Sequence, residues 1–250
     1  MGAETLLQAH GLTRRFGGLV AVDDVSLTLR RGQVHAVIGP NGAGKSTLTN
    51  LLSGDLTPTR GTLHVLGHDV TGASPEAIAR RGLARSYQRT NIFAPLTVWD
   101  NVRLAAQART PRAWAWWRRA DQQADVRARA ERALTLARLT ARRERPAAVL
   151  SHGEQRQLEI ALALATEPQV LLLDEPLAGM GTAEAERMVA LLAELKRDHA
   201  VMLVEHDMDA VFALADVLTV MVNGRVVASG HPAEIRSDAA VQAAYLGEEG

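Results

Sequence analysis

The stretch Gly39-Pro40-Asn41-Gly42-Ala43-Gly44-Lys45-Ser46-Thr47 contains the eight-residue pattern G-x-x-x-x-G-K-[ST] at 39–46, a loop that cradles phosphate. Its glycines let the main chain approach phosphate oxygens, and amides at the start of the following helix face their negative charge. Ser46 offers a hydroxyl to Mg2+. Lys45 is telling because, of 28 strongly basic residues, only Lys45 and Lys196 are lysines. A slim ammonium threads a collar of backbone N–H groups that a broad guanidinium cannot enter. These residues predict a nucleoside triphosphate site.

Other residues have the chemistry to serve it. Asp174 ends the apolar run Val170-Leu171-Leu172-Leu173, the position of a second magnesium contact in such nucleotidases. Glu175 follows, able to orient or deprotonate an attacking water, and Pro176 stops the strand. His206 follows Val201 to Val204 within Glu205-His206-Asp207. On spacing alone it reads equally as a γ-phosphate partner or as an exposed histidine. Gln88, after Leu83 to Tyr87, reads by itself as an ordinary loop glutamine. In Leu150-Ser151-His152-Gly153-Glu154-Gln155, Ser151 suits a helix N-cap and Glu154 completes a capping box. The same helix start is also an anion site.

Positioning these groups takes a sheet. Strand-like pieces occur at Thr5 to Ala9, Val25 to Leu29, Val34 to Ile38, Gly61 to Leu66 and Leu83 to Tyr87, with a helix from Lys45 to Ser53. Helical spacing then takes over at Val98 to Ala108, Asp121 to Leu139 and Gly153 to Thr166. Strands return at Val170 to Leu173, Val201 to Val204, Val217 to Val222 and Arg225 to Ala228, the last two a hairpin about Asn223-Gly224. Helices at Thr182 to Lys196 and Met208 to Leu214 alternate with them. The alternation predicts an α/β fold, a mostly parallel sheet covered on both faces with a helical insertion.

Composition sets bounds. The 250 residues are 47% apolar, enough for a sizeable core. No apolar run reaches the roughly 18 residues a membrane-spanning helix needs, and Met1 to His10 lacks the pattern of a secretory signal. Cysteine is absent, which excludes disulfides and thiolate chemistry. Basic and acidic residues balance at 28 each, so no nucleic-acid partner is expected.

Taken together, these motifs resemble the ATP-binding subunit of an ABC transporter over nearly the whole chain, in order and spacing. Residues 39–47 match that family's Walker A motif, Gln88 its Q-loop, Leu150 to Gln155 its signature motif and Leu171 to Asp174 its Walker B motif. Glu175 matches the catalytic glutamate, His206 the switch histidine, and Phe16 the aromatic that stacks on adenine. The resemblance implies a P-loop NTPase spanning 1–250 as a single ATP-binding domain, with an antiparallel β-subdomain and a helical insertion at approximately 96–166. It implies ATP and Mg2+ as cofactors, with Ser46, Gln88 and Asp174 at the metal and Gln88, Glu175 and His206 as catalytic residues. ATP contacts would come from Phe16 and residues 39–47, and across a head-to-tail dimer from Ser151, Gly153 and Glu154. The implied partners are two membrane permease subunits, a second related ATPase or a second copy, and indirectly a periplasmic or extracellular solute-binding protein. The implied location is the cytoplasmic face of the cell membrane.

Within the family, Ala84-Arg85-Ser86-Tyr87-Gln88, Arg156 to Ala161, Ala178-Gly179-Met180-Gly181, Glu205 to Met208 and the ending Ala244 to Glu248 resemble the branched-chain amino acid importers. Exporters of the lipopolysaccharide type share a similar ending, and soluble ABC ATPases are a third alternative. Two departures from the family's pattern stand out, His152 in the signature and Gly181 where an aspartate is usual. Trp114, Trp116 and Trp117, beside Arg118 and Arg119, either pack inside the insertion or face a permease or membrane surface.

Overall fold

A computed structural model describes residues 3–86, 91–108, 119–238 and 241–242, with 119–123 described by backbone alone. Gln88, Trp114, Trp116, Trp117 and the ending Ala244 to Glu248 lie outside the described residues.

Two sheets organise the chain. The first is antiparallel, in the order β2 (Leu19–Arg30), β1 (Thr5–Phe16), β4 (Arg60–Val65), β5 (His68–Asp69). The second has the order β10 (Arg225–Gly230), β9 (Val217–Val222), β3 (Val34–Ile38), β8 (Ala200–Val204), β7 (Val170–Asp174), β6 (Leu83–Arg85). All its pairings are parallel except the hairpin of β9 with β10, which turns at Asn223-Gly224 as the dipeptide predicts.

The central strands are buried on both faces, and their alternation sorts side chains between two cores. Leu171, Leu173, Val201 and Leu203 join the core beneath the helices α3 (Val98–Gln107), α4 (Arg119–Leu136), α5 (His152–Leu164) and α6 (Thr182–Leu195). Val170, Leu172, Met202 and Val204 join a second core with the antiparallel sheet and α1 (Lys45–Ser53). Helices α3 to α5 fall between β6 and β7 in the chain.

Several boundaries differ from expectation. Strand β1 runs on to Phe16 because Gly11, at φ 57°, sits in a register shift between Ala9 and Leu12. A glycine that reads as a strand end is here a bulge. Strand β2 likewise starts at Leu19, with Asp24 at φ 55° along it. Among the described strands and α-helices, three lack a sequence forecast: β5, α2 (Pro75–Arg80) and α8 (Pro232–Arg236). Each is too short for periodicity to register, although Ser74 capping α2 with Pro75 at its first turn is a helix-start signature. The remaining helix, α7 (Met208–Leu214), lies where it is expected.

Candidate nucleotide site

Strands β3, β8 and β7 are parallel neighbours, so their C-terminal ends share one rim, the edge at which open α/β sheets bind ligands. Off β3, the chain turns through residues 39–44 into α1. Close packing dictates the glycines. A Cβ at Gly39 would lie 2.1 Å from the Met221 carbonyl oxygen, and one at Gly44 2.4 Å from that of Ala21. Gly44 also adopts φ 99°, a conformation strained for any side chain. As N-cap it leaves α1 without a side-chain acceptor. First-turn amides therefore remain available to an anion. Lys45 Nζ donates to the carbonyl oxygens of Gly39 (2.5 Å) and Pro40 (2.9 Å), lying across the loop. Burial lowers its pKa, against the opposing attraction of Glu175 and Asp174. Those two acids therefore stand close enough to be felt by the ammonium.

Asp174 ends β7 at 3% exposure. Its Oδ2 accepts from Arg85 Nη2 at 3.4 Å, and its amide donates to Ser86 Oγ at 3.3 Å. Oδ1 is buried with no hydrogen-bond partner among the described residues. Burial raises the Asp174 pKa, while the Arg85 guanidinium opposes the rise. A buried, orphaned carboxylate oxygen is costly unless something cationic meets it. Asp174 thus has the chemistry to meet a hard, oxygen-seeking cation such as magnesium, and Ser46 in the first turn of α1 carries a hydroxyl that could join it.

Glu175 leaves the strand at φ 48°, its amide donating to Val204 O at 2.9 Å. His206 is 70% exposed at the end of β8. Behind it lies a residue that sequence reasoning missed. Glu205, 1% exposed, accepts from Leu177 N (Oε1, 2.8 Å) and His206 N (Oε2, 3.1 Å). Burial raises its pKa against these backbone donors. Its carboxylate ties the loop after Glu175 to the loop bearing His206. A carboxylate directly after four apolar strand residues is the signal that could have flagged it.

Phe16 ends β1, 44% exposed, with the Arg14 guanidinium 4.7 Å from its ring centre. The β1–β2 hairpin meets the loop where Ala21 O approaches Gly44. Ser151, Gly153 and Glu154 form a separate group at the start of α5. Ser151 Oγ accepts from Glu154 N at 3.2 Å, and Glu154 Oε2 accepts from Ser151 N at 3.1 Å, completing the capping box. Ser151 Oγ donates to Glu184 Oε1 at 3.0 Å, and Glu154 Oε1 accepts from Arg142 Nε at 2.6 Å. No hydrogen bond among the described residues links this group to residues 39–47.

The strand-end rim therefore carries Asp174, Glu175 and His206 beside Lys45 and Ser46 at the start of α1, while Ser151, Gly153 and Glu154 belong to the start of α5. It can grip a polyphosphate, hold a divalent ion and address a water.

Comparison with known proteins agrees. The profile of the family described as ABC transporter matches residues 22–178, and that described as branched-chain amino acid ATP-binding cassette transporter matches residues 225–250. The high-affinity branched-chain amino acid transport ATP-binding protein LivG of Salmonella typhimurium is 39% identical over 98% of this chain and 99% of its own length. BraF of Pseudomonas aeruginosa, described in the same words, is also 39% identical, over 97% and 98%. The crystal structure of an ATP-binding cassette of an ABC transporter, MJ1267 in its ADP conformation, superposes with a TM-score of 0.84 at 29% identity, covering 97% of this chain and 99% of that one. With fold, motif order and full-length similarity in accord, the chain belongs to the ABC transporter family of ATP-binding proteins.

Proposed function

We propose that this chain hydrolyses ATP to power import of branched-chain or related amino acids through two membrane permease subunits. The observation that carries the ATP chemistry is the meeting of Lys45, Asp174 and Glu175 on one strand-end rim, with the buried Asp174 Oδ1 still in need of a cation. The solute class is supported by likeness to the two transport proteins over nearly their full length.

In this reading the amides of residues 39–47 cradle the phosphates and Lys45 leaves its carbonyl partners for the β- and γ-oxygens. Phe16 stacks on adenine. Ser46 and Asp174, with Gln88, would hold Mg2+, whose charge neutralises the phosphate oxygens. Glu175 aligns a water and accepts its proton, and His206 hydrogen-bonds the γ-phosphate. Ser151, Gly153 and Glu154 serve the nucleotide of a second ATPase subunit, a related chain or another copy. That no hydrogen bond among the described residues joins them to residues 39–47 supports that role. No described helix is long and apolar enough to cross a membrane. The chain would work docked on permeases at the cytoplasmic face, with a solute-binding protein on the far side.

Radiolabelled uptake of an amino acid panel, with amides and urea included, tests the proposal in a strain lacking this gene. Loss of branched-chain uptake, restored by the intact gene and not by the Lys45→Ala variant, is expected. Unchanged amino acid uptake with loss of another solute would overturn the substrate class and leave the ATPase reading standing.

A further inference from the structure

Arg85 belongs to β6, the edge strand beside β7, yet its side chain is 92% withdrawn from solvent, being 8% exposed. Its guanidinium faces two elements at once. Nη1 donates to Asn50 Oδ1 (2.6 Å), Ser53 Oγ (3.0 Å) and Asp55 Oδ2 (2.9 Å). These acceptors lie in the last turns of α1 and just beyond it. Nη2 donates to Asp174 Oδ2 at 3.4 Å. Ser53 Oγ donates in turn to Asp55 Oδ2 at 2.6 Å, closing the group on the helix side.

The two elements so joined are the ones that present Ser46 and Asp174. We propose that Arg85 is a positioning residue for magnesium: a planar strut that sets the spacing of α1 and β7 and directs the Asp174 carboxylate. By engaging Oδ2 it leaves Oδ1 as the oxygen turned to the metal. The inference rests on the reading of Ser46 and Asp174 as magnesium ligands. Charge alone argues the other way, since a cation beside the carboxylate weakens its attraction for a second cation. Orientation must outweigh that repulsion, and it needs the guanidinium's fixed fork of donors. An ammonium at this position keeps the charge but reaches one side only.

Arg85→Lys separates the two effects. The measurement is binding of a fluorescent ATP analogue to the full chain, with and without a Mg2+ titration, beside the thermal midpoint of each variant. Outer-sphere partners of metal ligands typically contribute about 10- to 100-fold to metal affinity. We expect Arg85→Lys to raise the half-saturating Mg2+ concentration about 10-fold while metal-free nucleotide binding stays as in the unaltered protein. Asp55→Asn, which weakens the strut at its helix end without touching Asp174, should shift it in the same direction by less. A lysine variant with the original Mg2+ dependence would overturn the strut. So would metal-free binding that falls in parallel, for Arg85 would then only support the fold. If the unaltered protein shows no Mg2+ dependence, the metal site itself falls and the inference with it.

Discussion

Glu175 holds a backbone conformation, φ 48°, that side chains other than glycine seldom adopt. Such a residue costs about 1–3 kcal/mol and persists only where its surroundings fix it, here through its amide bond to Val204 O. The positive φ breaks the extended backbone directly after Asp174, where β7 ends. If Glu175 accepts the water's proton, Glu175→Gln keeps the shape and loses the base. ATP should bind with unchanged affinity while turnover falls by about 10²-fold or more, read by phosphate release against analogue binding. Near-normal turnover would remove Glu175 from the chemistry. Lys45, Asp174 and Glu175 were legible in the sequence because spacing and an apolar run mark them. Arg85 and Glu205 were not, because their meaning lies in partners 28 or more positions away in the chain, Asp55 and Asp174 for Arg85 and Leu177 for Glu205. A charged residue in a buried strand was the available hint.

At the scale of elements, the buried strands and long helices were legible through their periodicity, while the antiparallel sheet was blurred by the bulges at Gly11 and Asp24. How the two sheets join was not legible at all. His35 on β3 does part of that work. Its Nδ1–H donates to Thr28 O on β2 at 3.3 Å, since a carbonyl can only accept, and Nε2 lies 2.7 Å from Thr219 Oγ1 on β9. Burial lowers its pKa below the ordinary 6.5, although the Thr28 carbonyl favours the charged form. The sign follows from proton binding. Above about 6.5 both folded and unfolded chains hold a neutral imidazole. As pH falls below that value, the unfolded chain takes up a proton that the folded one resists, so stability drops toward the lower folded pKa. The thermal midpoint should therefore fall more steeply between pH 7.5 and 5.5 in the unaltered protein than in His35→Gln, with all other titrating groups common to both. Parallel curves would show that burial does not lower the His35 pKa on folding.

For the whole molecule, the decisive geometry is at the start of α5. If that helix start receives a partner's γ-phosphate, the place is already taken by a carboxylate. Glu184 accepts from Ser151 Oγ, and a Cβ on Gly153 would fall 2.9 Å from its Cδ. Glu184 also lies in the first turn of α6, so two helix N-termini hold its charge, each favourable by about 0.3–1 kcal/mol. Gly181 caps α6 with no side chain that could draw Glu184 aside. Closure of an ATP-bound dimer must then displace one anion by another from Ser151 and Gly153. Glu184→Gln lightens that exchange by removing the charge while keeping a side chain of the same size. In a Glu175→Gln background, which holds ATP unhydrolysed, Glu184→Gln should lower the ATP concentration needed for dimer formation, or for pairing with the related ATPase, by about 3- to 10-fold, the equivalent of roughly 0.7–1.4 kcal/mol. Sedimentation velocity across an ATP titration reads this directly. A dimer that forms less readily after the change would mean that the Glu184 carboxylate supports the closed interface, and that its hold on Ser151 positions the hydroxyl for the incoming phosphate.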